Sequence, residues 1–268
     1  MTAAYDVEAI ERAVWEDLYA AAPADFRAAA KLDCRRFGGA LASVAAAIPD
    51  TQFNRAFGFG VDVPWSEGEL DEVIAFMRAS GAPRWWLQPP PDKPDLIAAI
   101  EARGFNATPR AWAKLLRPLQ ASAPVASGLT VKRVGAAEMD AFGAIVCEAF
   151  GAPPPLASWL SALSNRRLWN LYLAFDNGAP ISAAAMWCDG NSAWYGIAGT
   201  SKAGRGRGGQ TAVLAHLIND ARDAGARVIV AETGVKQAGA VSTSYDNMIR
   251  QGFRLVHARP NYAPPEMR

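Results

Sequence analysis

The sequence predicts an α/β chain (α+β in its layering) of two halves built to one plan, each a mixed and mainly antiparallel sheet flanked by helices. Three observations carry the prediction. The stretch Pro118-Leu119-Gln120-Ala121-Ser122-Ala123-Pro124 interrupts the chain near its middle. Strand-like runs in the second half are joined by tight turn sequences, which makes them antiparallel neighbours. The later elements of that half recur in the first, in the same order. A chain of 268 residues has the length for two domains of about 130, taken as 1–120 and 126–268.

In the second half, Leu129–Val134 alternates as a strand does, and two helical stretches follow, roughly Ala136–Phe150 and Leu156–Leu163. Three strands come next, Leu171–Phe175, Ile181–Cys188 and Ser192–Thr200, turned by Asp176-Asn177-Gly178 and Asp189-Gly190-Asn191. Val213, Leu214, Leu217, Ile218 and Ala221 then fall on one face of a helix that Gly225 ends. Val228–Val230 is a short strand, a helix runs over Val241–Gln251 to Gly252, and Phe253–Arg259 is a last strand.

The first half repeats the later part of this order. Ala56-Phe57-Gly58-Phe59-Gly60 stands where Tyr195-Gly196-Ile197-Ala198-Gly199 stands in the second. The helix Leu70–Arg78, the strand Arg84–Leu87 and the helix Leu96–Ala102 closed by Gly104-Phe105 match their later counterparts.

Composition narrows the function classes. The chain is 51% apolar and 20% charged, which describes a packed globular protein. A net charge of +1 offers no general grip on nucleic acid or on an acidic membrane. The start, MTAAYDVEAIERAVWEDLY, is acidic and amphipathic, unlike a secretion signal, and no apolar run approaches the roughly 18 residues of a membrane span. Cys34, Cys147 and Cys188 are dispersed, odd in number and without metal spacing, so they are expected to be free thiols in a reducing compartment, the cytoplasm. His216 and His257 belong to no metal-ligand cluster, and no metal is expected. Trp85, Trp86, Trp187 and Trp194 lie on or beside strands and are read as packing residues.

The chemistry concentrates in Ala203-Gly204-Arg205-Gly206-Arg207-Gly208-Gly209-Gln210, between a strand and a helix. Glycines bare the backbone so that a ligand can approach the peptide N–H groups. The following helix adds its unpaired N–H groups and the positive end of its dipole. Together they make an anion site suited to a pyrophosphate, with Lys202, Arg205 and Arg207 adding charge. In the first half, acidic Asp62, Glu67, Glu69 and Asp71 stand there instead, so that half is read as a copy without cofactor. Gly204-x-Gly206-x-x-Gly209 also satisfies the dinucleotide fingerprint, with Glu232 as the acid 23 residues on, but hairpin-linked strands precede it where a parallel βαβ unit is required. No Gly-Lys-Ser/Thr follows, which excludes a Walker-type loop.

The run Arg205-Gly206-Arg207-Gly208-Gly209-Gln210, the order of elements over 129–262 and the closing Ser244-Tyr245-Asp246-Asn247-Met248-Ile249-Arg250-Gln251-Gly252-Phe253 resemble the GNAT superfamily of acyl-CoA-dependent N-acyltransferases. The whole chain looks like a tandem form whose N-terminal copy has decayed. The resemblance departs from the family at the sixth loop position, Gln210, where Gly or Ala is usual. It implies that acetyl-CoA is the co-substrate and that Arg205, Gly206, Arg207, Gly208, Gly209, Gln210 and Thr211 hold its pyrophosphate. Ala198, Gly199 and Thr200 would meet the pantetheine arm, the N–H near Ala198 polarising the thioester carbonyl. The acceptor is then an amine, a small molecule in the first place or a protein amine. Glu232 is the candidate base, or else a salt-bridge or capping residue. The family's tyrosine four residues before the Gly-Phe glycine is Met248 here, so Tyr245, one turn earlier, is the candidate acid, or else a packed or substrate-facing aromatic. Asn247 is assigned to the cofactor; Ser242 and Ser244 are further polar contacts or caps.

Two other functions stay open at this level. A coenzyme-A-binding sensor or scaffold without turnover is motivated by the missing tyrosine. A nucleotide-dependent oxidoreductase is motivated by the dinucleotide spacing.

Overall fold

The computed structural model describes residues 6–120, 124, 125, 127–237, 239 and 242–267. The chain runs through α1 (Val7–Ala20), α2 (Ala24–Ala30), β1 (Leu32–Phe37), β2 (Ala40–Ala45), β3 (Arg55–Phe57), α3 (Glu67–Ala79), β4 (Trp86–Gln88), α4 (Pro94–Ala102) and β5 (Asn106–Pro118). It continues with β6 (Thr130–Arg133), α5 (Met139–Phe150), α6 (Leu156–Ala162), β7 (Trp169–Asp176), β8 (Ala179–Cys188), β9 (Ser192–Thr200), α7 (Gly209–Asp223), β10 (Val228–Gly234), α8 (Thr243–Arg250) and β11 (Arg254–Ala263). Residues 121–123 of the central Pro/Ser stretch and Val241 lie outside the described residues.

The chain divides into two compact units that do not follow a single cut in the sequence. The first takes in the chain up to Ala20, Arg27–Lys114 and the chain from His257 on; the second takes Ala21–Phe26 and Leu115–Val256. The chain thus passes from the first unit to the second within β5 and returns within β11.

In the first unit, β1 and β2 form an antiparallel hairpin turned at Gly38-Gly39, β2 pairs antiparallel with β3, and β3 pairs parallel with β4. A parallel pair needs a crossover, and α3 supplies it. Ser66 caps α3 by accepting a hydrogen bond from the Glu69 N–H. Its apolar face (Leu70, Val73, Ile74, Met77) packs with Leu87, Leu96, Ile100 and Phe105 in one core. The β1–β2 hairpin and the long β5 are absent from the periodicity reading. Gly-Gly was the available signal for the hairpin.

A charged cluster is buried in the same unit. The Glu11 carboxylate accepts from Arg55 at 3.1 Å, from Arg259 at 2.8 and 3.1 Å, and from Lys114. Glu8 meets Arg259 at 2.7 Å and His257 at 2.9 Å, and the Gln88 carbonyl accepts from Arg259 at 2.9 Å and Arg55 at 3.2 Å. Arg55 also lies over the Trp15 ring at 4.2 Å. The acidic residues where a phosphate loop would be have structural partners. Asp62 pairs with Arg12, Glu67 and Asp71 with Arg103, and Glu69 accepts from the Ala40 N–H at 2.8 Å.

The second unit repeats the pattern. β6, β7, β8 and β9 are successively antiparallel, and β9 pairs parallel with β10 through the crossover helix α7. All five predicted apolar residues of α7 (Val213, Leu214, Leu217, Ile218, Ala221) are buried. The Gly252 turn, at φ +84°, is held by Arg117, which donates to the Gln251 carbonyl at 2.5 Å.

Candidate active site

The glycines of the loop divide into two kinds. Gly206 and Gly208 take φ of +76° and +79°, backbone that disfavours other residues, and a Cβ on either would point into open space. Gly204 and Gly209 are buried and closely packed: a Cβ would stand 2.6 Å from Ile181 Cβ and 2.2 Å from Ser182 Oγ. One pair bends the loop and opens it to a ligand, while the other seats it on β8. The first backbone hydrogen bond of α7 runs from Ala212 N–H to Gly208 O at 2.9 Å. The N–H groups of Gly209, Gln210 and Thr211 therefore precede the helical ladder at the positive end of the dipole.

Below the loop the sheet opens. Parallel pairing of β9 with β10 runs from Ser192↔Val228 to Tyr195↔Ala231 and stops, although β9 continues to Thr200 and β10 to Gly234. A bulge against β8, between Ala183 and Ala185, accompanies the divergence. Its bulged strand holds Ile197 at φ +49°, left-handed backbone that is costly for a β-branched residue. The half-buried backbone of Ala198, Gly199 and Thr200 lines the β9 side of the gap. Gly199 is required there because a Cβ would come within 2.6 Å of Ala149 on α5.

Side chains of α7 and α8 meet beside this gap. Thr211 donates to Asn247 Oδ1 at 2.9 Å, and Gln210 Nε2 approaches Ser244 Oγ at 3.4 Å. Asn247 is 2% exposed and its Nδ2 has no hydrogen-bond partner. Tyr195 is equally buried; its hydroxyl forms no well-shaped hydrogen bond, the Gln210 side chain being the polar group beside it. Buried polar atoms are seldom left orphaned without a reason, and both of these are donors. Residues paired across parallel strands share a face, so Ala231 faces the Tyr195 side and the next residue, Glu232, the opposite one. Glu232 is half-buried at the mouth of the gap.

The structure thus brings together the loop, Ala198–Thr200, Gln210, Thr211, Asn247 and Glu232. Arg205 is exposed on the loop, and Arg207 is held by an ion pair to Asp176 at 2.8 Å. Tyr245 is half-buried on α8, next to Ser244, and Met248 is buried. Tyr195, which reads in the sequence as an ordinary strand aromatic, is buried on β9 with its hydroxyl unpartnered.

The residues set aside by sequence have other roles. His216 packs edge-on against Tyr172, whose hydroxyl donates to Asp220 at 2.8 Å. Burial pushes the Cys147 and Cys188 thiols above their ordinary value, which disfavours the thiolate a nucleophile requires. No group of metal ligands occurs among the described residues.

No family model and no curated protein matches this sequence. Solved structures do. A GCN5-related N-acetyltransferase from Kribbella flavida superposes with a TM-score of 0.64 at 17% identity, covering 98% of this chain and 97% of its own. A tandem GNAT protein from the clavulanic acid biosynthesis pathway matches with a TM-score of 0.57 at 16% identity, over 97% and 96% of the two chains. A GCN5-related N-acetyltransferase from Sphaerobacter thermophilus gives 0.59 at 19% identity, over 84% and 76%. The opened parallel pair, the glycine-rich helix start and these superpositions, two of them over nearly the whole chain, agree: the chain has the GCN5-related N-acetyltransferase fold.

Proposed function

We propose that the second unit transfers an acetyl group from acetyl-CoA to a primary amine. The observation that carries this reading is the gap between β9 and β10 directly below an anion-binding helix start. A pyrophosphate on the N–H groups of Gly206–Thr211 leaves the pantetheine arm to run down the gap as an extra strand, against Ala198, Gly199 and Thr200. The two orphaned donors, Asn247 Nδ2 and Tyr195 Oη, fit an arm rich in acceptors. Glu232 takes the proton of the attacking amine from the opposite face. The N–H near Ala198 stabilises the oxyanion. The first unit is a copy without cofactor, since its loop acids are paired with neighbouring residues. A small amine is the proposed acceptor, and free thiols at all three cysteines fit a reducing compartment.

Thermal unfolding against acetyl-CoA, coenzyme A, NAD(H) and NADP(H) tests the cofactor. Ligand at about a hundred times its Kd stabilises by about 2.7 kcal/mol. A rise with the coenzyme A species alone supports the proposal; a rise with a nicotinamide nucleotide alone refutes it. Thiol release from acetyl-CoA across a panel of primary amines then tests turnover. The buried Met248 in the place of the family's tyrosine favours one rival, a coenzyme A sensor without turnover. Binding with no thiol release for any amine would favour that rival.

A further inference from the structure

The geometry points to a second binding site, in the first unit, for a free α-amino acid with an apolar or aromatic side chain. The site stands apart from the acyltransferase reading, because all of its residues belong to the first unit.

The loops that follow β3 and β4 frame an open cavity of about 620 Å³. That volume lies in the range of small-molecule sites, about 300–1,000 Å³. β3 and β4 are parallel neighbours, and the carboxyl ends of parallel strands are where open α/β sheets collect ligands. In the second unit the loop after β9 holds the same place in the order of elements and presents bare N–H groups. In the first unit that place is walled by side chains. A phosphate fits it poorly, since Ser66 already caps α3, and Glu67 and Glu69 fill the first turn of that helix.

The charges of the cavity select the ligand. Asp62, Asp92, Asp95 and Lys93 all line it. Two of the carboxylates are engaged: Asp62 pairs with the buried Arg12, and Asp95 accepts from Trp65 Nε1 at 2.9 Å. Lys93 lies near enough to Asp95 to help hold it ionised, but the two do not pair. Among the described residues, the side chains of Asp92 and Lys93 have no hydrogen-bond or ion-pair partner. One anion and one cation are therefore left unmatched in a single cavity. A plain cation would face Lys93, and a plain anion would face the carboxylates. A zwitterion matches both.

The remaining wall is apolar and preset. The hydrogen bond to Asp95 fixes the Trp65 indole, and Val63 beside it is 46% exposed, apolar surface that a ligand side chain would cover. Lys93 is seated as well. A Cβ on Gly60 would stand 2.5 Å from Lys93 Cε and 3.0 Å from Nζ, so the bare glycine leaves the space that the lysine chain occupies. An α-amino acid places its carboxylate on Lys93, its ammonium on Asp92 and its side chain on Trp65 and Val63.

The experiment is calorimetric titration of the full chain with leucine, phenylalanine and tryptophan. Each is paired with the amine that lacks its carboxylate and the acid that lacks its amine. We expect at least one amino acid to bind about tenfold more tightly than either of its analogues, the effect of one charge-assisted contact. Lys93→Gln should lower that amino acid to the affinity of its amine, and Asp92→Asn to that of its acid. Both replaced side chains are unpartnered, so the melting temperature and coenzyme A affinity should stay at wild-type values. Glu232→Gln, in the second unit, should leave amino acid binding unchanged. No binding of any of the three at millimolar concentration overturns the site. So does an amine that binds as tightly as its amino acid and ignores Lys93→Gln, or amino acid binding that falls in Glu232→Gln but not in the two cavity variants. Wild type that binds the amino acid but no coenzyme A upholds this site and overturns the acyltransferase reading.

Discussion

Glu11→Gln is the sharpest test of how the first unit is held together. Glu11 is 1% exposed and is the carboxylate shared by Arg55, Lys114 and Arg259, themselves 0–2% exposed. Glutamine has nearly the same volume, so no cavity forms and the effect is electrostatic. The substitution takes one carboxylate away from three buried cations, Arg55, Lys114 and Arg259. At an effective dielectric of about 20, a contact pair near 4 Å is worth about 4 kcal/mol before desolvation is counted. Breaking a buried pair by removing one partner costs a net loss of about 3–5 kcal/mol. That is a large part of the roughly 5–15 kcal/mol that holds a domain folded. Urea unfolding at neutral pH, followed by tryptophan fluorescence, reads the loss; Trp15, stacked on Arg55, sits within the cluster. Glu16→Gln is the control, since its partner Arg36 is 44% exposed, and should cost under about 1 kcal/mol. A Glu11→Gln loss no larger than that of the control would show that the cluster is not held by charge.

Further predictions follow from the same geometry. Burial alone would raise the Glu8 carboxyl, but Arg259 and the His257 hydrogen bond bring it from 4.5 down to about 2. Its contribution is therefore complete above pH 4.5 and lost as the pH falls toward 2, so Glu8→Gln should flatten the stability profile in that window by on the order of 3 kcal/mol. Gly209→Ala drives a Cβ to 2.2 Å from Ser182 Oγ; it should cost about 1–3 kcal/mol by overpacking and weaken coenzyme A binding. Pairing it with Ser182→Gly should recover part of that loss, and strict additivity would refute the contact. Gly208→Val faces open space but must hold φ at +79°; it should weaken coenzyme A binding with the fold retained, and unchanged affinity would mean that the loop is not the pyrophosphate site. Ile197→Gly removes left-handed strain of about 1–3 kcal/mol, so it should melt no lower than wild type despite losing a half-buried side chain. A clear drop in Tm would show that the bulge is not strained.

Much of the fold was legible because it rests on local rules. The α7 stripe, the Asp-Asn-Gly and Asp-Gly-Asn turns and the Gly252-Phe253 stop announce their elements at a fixed period or a fixed turn chemistry. The loop was legible as an anion site for the same reason, since bare glycines before a helix are a local signal. Element ends fared less well. β10 extends to Gly234 rather than Val230, and β11 runs from Arg254 to Ala263 rather than stopping at Arg259, because strand ends are set by neighbours rather than by composition.

What the sequence determined by itself is the succession of elements, the halves' shared order and the place of the glycine loop, all encoded within windows of a few residues. Tertiary structure alone decided three things. It set where β9 and β10 part, since a register ends only when two distant strands diverge. It turned Glu8, Glu11, Arg55, Lys114 and Arg259 from scattered surface-type residues into one buried cluster. It buried the Tyr195 hydroxyl beside Gln210, giving an ordinary strand aromatic an unmet donor. Each depends on contacts between residues far apart in the chain, and no local pattern records them.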